Sequence, residues 1–450
     1  MNHILPDYYV SEATWFYLSL LLSLAVFFRF DRILSLRNLD LVLLLSISPG
    51  LLFLSDRPVL GNIWLFAGTG LFVIRMCVDC FFQRRPRGEQ NLNSFGMAFL
   101  CISIFAFFIV RVFTEIPAPE TIQTVQQADR LLSMQDVSAA QQKTPPEAGP
   151  TARLLAAPVV PLSNAVVQGS SPVTSTSPSS LDHSTLAARI MSILAHAFVI
   201  VGLIIMGKVH FADTQVGLAM ALLYLLLPCT AYNVSKANHV LPAALLVWAF
   251  VTYKQPVLSG IFMGLACGAM FFPVFLLPLW ASYYWKNGLK RFVLSGSVVG
   301  IVLVGSLILT SVDRLSFTQQ TIGSIDWSVI KFQGGQQIPG FWSAYDSAYR
   351  IPVFVVFLLL IICLTIWPRR KNLGHLMSHT TAIIIATLLW YPQQGSVYLL
   401  WYLPMLLMVV FRPRLLHTTQ STGVGRNQQA NEKPVSRFQD SGSIVRHTTQ

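Results

Sequence analysis

The chain has 450 residues, 54% of them hydrophobic and only 11% charged. A soluble protein carries about a quarter charged residues, so this composition excludes an ordinary soluble enzyme and points to a polytopic membrane protein. The net charge of +12 would suit a nucleic-acid binder, but the basic residues lie between apolar runs and in the tail, where they set orientation in a bilayer. No nucleic-acid partner is expected.

In chain order, the opening "MNHILPDYYV" has no basic n-region and no small-residue cleavage site, so no cleaved signal peptide is expected. Apolar runs near 13–30, 40–55, 60–80 and 95–113 predict an N-terminal four-helix membrane segment over 1–113. The stretch 114–186 is rich in Pro, Ser, Thr, Gln and Ala without sustained periodicity, and reads as a long external low-complexity loop, mostly disordered. Runs near 187–207, 215–232, 239–253, 256–285, 292–311, 351–367, 379–391 and 395–411 predict a membrane core over 187–414. Within it, the loop 312–350 holds Trp327, Phe332, Phe341, Trp342, Tyr345 and Tyr349, a set suited to folding over the membrane face. Residues 415–450 read as a disordered tail. The expected fold class is all-α, a polytopic transmembrane helical bundle of about 12–13 helices. Arg29, Arg32 and Arg37, then Arg84, Arg85 and Arg87, then "PRRK" (368–371) and "FRPR" (411–414) mark the cytoplasmic loops, which places the N-terminus outside and the C-terminus in the cytoplasm.

The run 256–285 is too long for one pass. As a single helix it would extend ~45 Å, against a hydrocarbon core of about 30 Å. Two short limbs with a bend near Phe272 and Pro273 would put the basic link "KNGLKR" (286–291) inside, and proline supplies the break. Gly260, Gly264 and Gly268 repeat every four residues, a small-residue face for close helix packing.

Soluble-enzyme motifs such as Walker loops, HExxH or GxSxG are not found in the sequence. Cys77 and Cys80 form a lone CxxC at a membrane boundary, better read as buried thiols than as a metal site. No metal and no cofactor is expected. The centres of the apolar runs hold almost no charge, which weighs against an ion-coupled transporter; His196, in mid-helix, reads as a packing histidine. Polar groups gather instead at helix ends on the expected outer face: Asp56 and Arg57; Arg111, Glu115 and Glu120; Lys236, Asn238 and His239; and Asp313, Arg314 and Asp326. A carboxylate there can act as a general base on a sugar or lipid hydroxyl, and a cation beside it can hold a lipid phosphate.

The segment "YLLLPCTAYNVSKANHVLPAALLVWAFVTYKQPVLSGIFMGLACGAMFFPVFLLPLW" resembles the core of the glycosyltransferase-C superfamily, in particular the polyprenyl-phosphate-sugar-dependent mannosyltransferases of glycosyltransferase family 87. Pro228, Asn238-His239, Lys254, Gly264-Leu265-Ala266 and Pro273 take the places of that pattern, and "LLWYLPMLL" (399–407) is similar to its closing helices. The family's external Gln-x-Asn stands here as Asn238-His239, and Phe272 replaces the lysine before the proline. The resemblance implies inverting transfer of a sugar from a lipid-linked donor by an integral protein of the bacterial cytoplasmic membrane, in contact with membrane lipids. It also implies a catalytic carboxylate in the first long external loop, which by position is Glu115, then Glu120; Asp56 is the alternative. Asn238, His239, Lys236, Arg111 and Arg314 are the expected substrate-binding residues. A carrier or flippase for a lipid or apolar substrate, and an inactive membrane relative, are the competing readings.

Overall fold

The structure, a computed structural model, describes residues 12–82, 90–133, 148–169, 183–310, 340–391 and 395–413. Before the core lie α1 Glu12–Phe27, α2 Leu36–Leu45, α3 Ile47–Asp56, α4 Pro58–Val78, α5 Ser94–Thr114, α6 Pro119–Leu132, α7 Pro150–Ala156 and α8 Val159–Gly169. The core continues with α9 His183–His210, α10 Thr214–Leu226, α11 Pro228–Tyr232, α12 Ala237–Val251, α13 Pro256–Ala269, α14 Leu277–Tyr284 and α15 Leu289–Thr310. It closes with α16 Arg350–Ile366, α17 Leu373–Trp390 and α18 Leu399–Phe411. Seven helices among the described residues are long and apolar enough to cross a membrane, and shorter apolar helices accompany them. The protein is an all-α membrane bundle.

Local chemistry sets the breaks. The run 40–55 divides at Ser46, whose hydroxyl bonds to the Leu43 carbonyl, and α2 starts where the Ser35 side chain accepts from the Asn38 N–H. Proline opens α4, α6, α7, α11 and α13, at first-turn positions where its missing N–H costs nothing. α12, α17 and α18 are buried almost throughout. α5, α15 and α16 instead turn Phe99, Phe107, Leu294, Ile301, Val356 and Ile366 outward, the surface that hydrocarbon would cover.

The long run resolves into two opposed limbs. α13 packs in parallel with α15: a Cβ at Gly260 would meet Ser295 and the Phe292 carbonyl, at Gly264 the Val299 side chain, and at Gly268 Leu303. Parallel neighbours require the chain to return between them. It does so through a 3-10 turn at Phe272–Leu276 and then α14. The Tyr284 hydroxyl donates to the Tyr253 carbonyl at 2.5 Å, which brings the end of α14 back to the start of α13.

Expectation and structure part in the stretch 114–186. Instead of a mostly disordered loop, its described residues hold α6, α7 and α8. α6 buries Thr121, Thr124, Val125, Gln127 and Ala128, a largely helical spacing hidden from hydropathy because three of the five are polar. α7 is fixed at its start, where the Gly149 N–H donates to the Ala269 carbonyl at 3.1 Å. The described end of the aromatic loop is folded: Phe341 stacks on Phe66 at 3.9 Å, and the Trp342 indole donates to the Leu389 carbonyl. Residues 312–339, with Arg314, and the tail 415–450 lie outside the described residues.

At the opposite end from the candidate site, Arg75 holds Asp40 with two bonds, at 2.6 and 2.9 Å, and Asp79 with one at 2.9 Å. Arg412 also donates to Asp79. Both carboxylates are buried, so this network ties α2 and α4 to the residue that follows α18.

Candidate functional site

The site grows from the break between α10 and α12. Pro228 cannot extend α10, and Leu227 before it is extended, with ψ at 132°. One further turn, α11, ends where the Asn233 side chain donates to the Cys229 carbonyl at 2.8 Å. Residues 233–237 then form a polar turn that two helices grip. The hydroxyls of Thr121 (α6) and Ser192 (α9) both donate to the Ser235 carbonyl, at 3.2 and 3.3 Å.

Around this turn the predicted residues converge. The Asn238 amide donates to the Glu120 carbonyl at 3.1 Å and to the Thr124 hydroxyl at 3.0 Å. Lys236 pairs with the Glu120 carboxylate at 3.4 Å. One turn back along the chain, Arg111 faces the Glu115 carboxylate at 3.9 Å and lies over the Tyr232 ring. Arg189 of α9 donates to the Glu115 carbonyl at 3.5 Å and covers the Phe113 ring.

His239 faces the other side of α12. The Trp401 indole N–H donates to His239 Nδ1 at 3.2 Å, and Tyr398 packs edge-on against the imidazole. Because Nδ1 accepts, a neutral His239 carries its proton on Nε2 and can donate from there. Phe272 stacks on Trp401 at 4.5 Å, so this aromatic serves as packing for the histidine's partner. Among the described residues, no three His, Cys, Asp or Glu side chains gather as metal ligands would.

Arg111, Glu115, Glu120, Lys236, Asn238 and His239 are therefore drawn to one end of the bundle, around α6 and the start of α12. Asp56 ends α3, exposed, in a helix that packs chiefly on α4. A small apolar cavity lined by Leu44, Leu51, Pro228, Leu399 and Tyr402 lies between that N-terminal segment and α18. Sequence reasoning missed Arg189, Tyr398 and Trp401. The first had a signal: a basic residue at an expected outer helix end runs against the charge bias of membrane proteins. The two aromatics had none, since they reach His239 from about 160 residues away in the chain.

Residues 173–392 match the family model of glycosyltransferase family 87. The match takes in α9 to α17, with Arg189, Lys236, Asn238 and His239; Arg111, Glu115 and Glu120 precede it, and the similar stretch 399–407 follows it. No curated protein matches the chain. The family match, on a chain of long apolar helices, supports a membrane glycosyltransferase.

Proposed function

We propose that the protein transfers a sugar from a polyprenyl-phosphate donor to an acceptor hydroxyl at the outer face of the cytoplasmic membrane. The observation that carries this reading is a juxtaposition. The family-matched stretch supplies Lys236, Asn238 and His239; the preceding segment brings Glu120 to that turn and sets Glu115 beside Arg111, which lies over Tyr232 just before the turn. In the reaction a carboxylate removes the acceptor proton while the acceptor oxygen bonds to the sugar's anomeric carbon. The bond from that carbon to the phosphate oxygen breaks on the opposite face, and the lipid phosphate leaves with its electron pair. Glu115 is the proposed base, with Arg111 beside its carboxylate. Asn238 and, on the other side of α12, His239 Nε2–H are the proposed contacts for hydroxyls of the sugar substrates.

The test is transfer from polyprenyl-phosphate sugars in right-side-out and inverted vesicles. Glu115→Gln should lower the rate by about 10²–10⁴-fold, the usual worth of a general base, with donor binding retained. Glu120→Gln and Asp56→Ala, run in parallel, should retain far more activity than Glu115→Gln. Loss confined to Asp56→Ala would move the site to the end of α3. No transfer from any donor, by a folded chain, would favour the carrier reading.

A further inference from the structure

Three cations border the junction, and two already face carboxylates: Arg111 faces Glu115, and Lys236 faces Glu120. Arg189 differs. Its guanidinium reaches the main-chain oxygen of Glu115 and the face of Phe113, and its Nε is buried without a hydrogen-bond partner. A guanidinium offers five N–H donors in a planar fork, so most of this fork is left for a ligand.

The surroundings indicate the direction of approach. α9 has 28 residues, about 42 Å of helix against a hydrocarbon core of about 30 Å, so its second turn, with Arg189, stands near headgroup level. Phe113 beneath the guanidinium is 45% exposed, and Val110 and Ile116 beside it are exposed too. Arg189 thus sits where an apolar surface meets a polar junction. A ligand suited to both has a hydrocarbon chain and a compact anion, and the guanidinium fork matches phosphate with two parallel bonds.

Building on the transferase reading above, we infer that Arg189 binds the phosphate of the lipid-linked donor, which enters sideways over Phe113 and presents its sugar to Glu115. The test measures binding rather than turnover. Radiolabelled farnesyl monophosphate is titrated into the full-length protein in phosphatidylcholine nanodiscs, with inorganic phosphate as the water-borne competitor. Arg189→Gln should weaken binding about 10–100-fold, the worth of a charge-assisted pair of bonds. Arg189→Lys should fall between the two, and Lys208→Gln at the far end of the same helix should bind like the native protein. Thermal midpoints of the Arg189 variants should stay near the native value. Native-strength binding by Arg189→Gln would remove Arg189 from the site while leaving the transferase reading in place. Equal competition by inorganic phosphate would overturn lateral entry. No binding by the native protein would overturn the transferase reading and this inference together.

Discussion

His239 shows how much of the proposed chemistry depends on a partner that takes no direct part in it. The indole of Trp401 fixes which ring nitrogen carries the proton, and Phe272 fixes the indole. Trp401→Phe keeps the ring stacking and deletes the N–H, so Nδ1 loses the bond that holds the imidazole's orientation. Transfer should fall roughly 5–10-fold, in line with about 1 kcal/mol for one lost hydrogen bond, and the thermal midpoint should fall modestly, because the smaller ring leaves buried space. A steady-state rate measured beside a melting curve checks this. An unchanged rate would mean that the orientation of His239 is irrelevant to transfer. The same logic explains why this part of the site was only half legible in the sequence. Lys236, Asn238 and His239 stand out as polar residues at the end of an apolar helix, which local reading finds. Their partners arrive from Glu120, Thr124 and Trp401, and nothing local in the chain announces those meetings.

Among the helices, legibility follows the chemistry of the buried face. The glycines of α13 declare a close contact by their four-residue spacing, and α15 fills it. α6 declares nothing, because its buried face is largely threonine, glutamine and alanine and resembles a solvated loop in any hydropathy reading. The contact between α13 and α15 also predicts a graded response to one added methyl group. At Gly260 a Cβ would press on the Phe292 carbonyl, 2.5 Å away, and backbone cannot yield cheaply. At Gly296, directly opposite, the nearest atom is the Gly260 carbonyl at 3.5 Å, an ordinary contact. Gly260→Ala should therefore destabilise the protein by about 1–3 kcal/mol, as overpacking does, and Gly296→Ala should be close to neutral. Melting curves in one detergent decide between this and a loose interface, which would tolerate both.

For the molecule as a whole, the buried ions at the end opposite the site matter most. Asp79 accepts from Arg75 and Arg412, and neither of its oxygens can fall back on water. Removing one member of such a network leaves uncompensated buried charge, at a cost of about 3–5 kcal/mol. Asp79→Ala should lower the melting temperature sharply. Ending the chain after Phe411 should do so more than ending it after Pro413, which keeps Arg412. Equal stability of the two truncated forms would show that the link to Arg412 is idle. α18 connects this network to the site, because Trp401 lies near its start and Arg412 follows its end, about 16 Å apart along a wholly buried helix. That placement has a consequence for how the protein is made. Ribosomes deliver α18 after every other described helix, so the residue that orients His239 and the residue that completes the Asp79 network both emerge last. A nascent chain with all its earlier helices already threaded into the bilayer would hold neither a finished site nor a completed Asp79 network, and a single late insertion event would supply both.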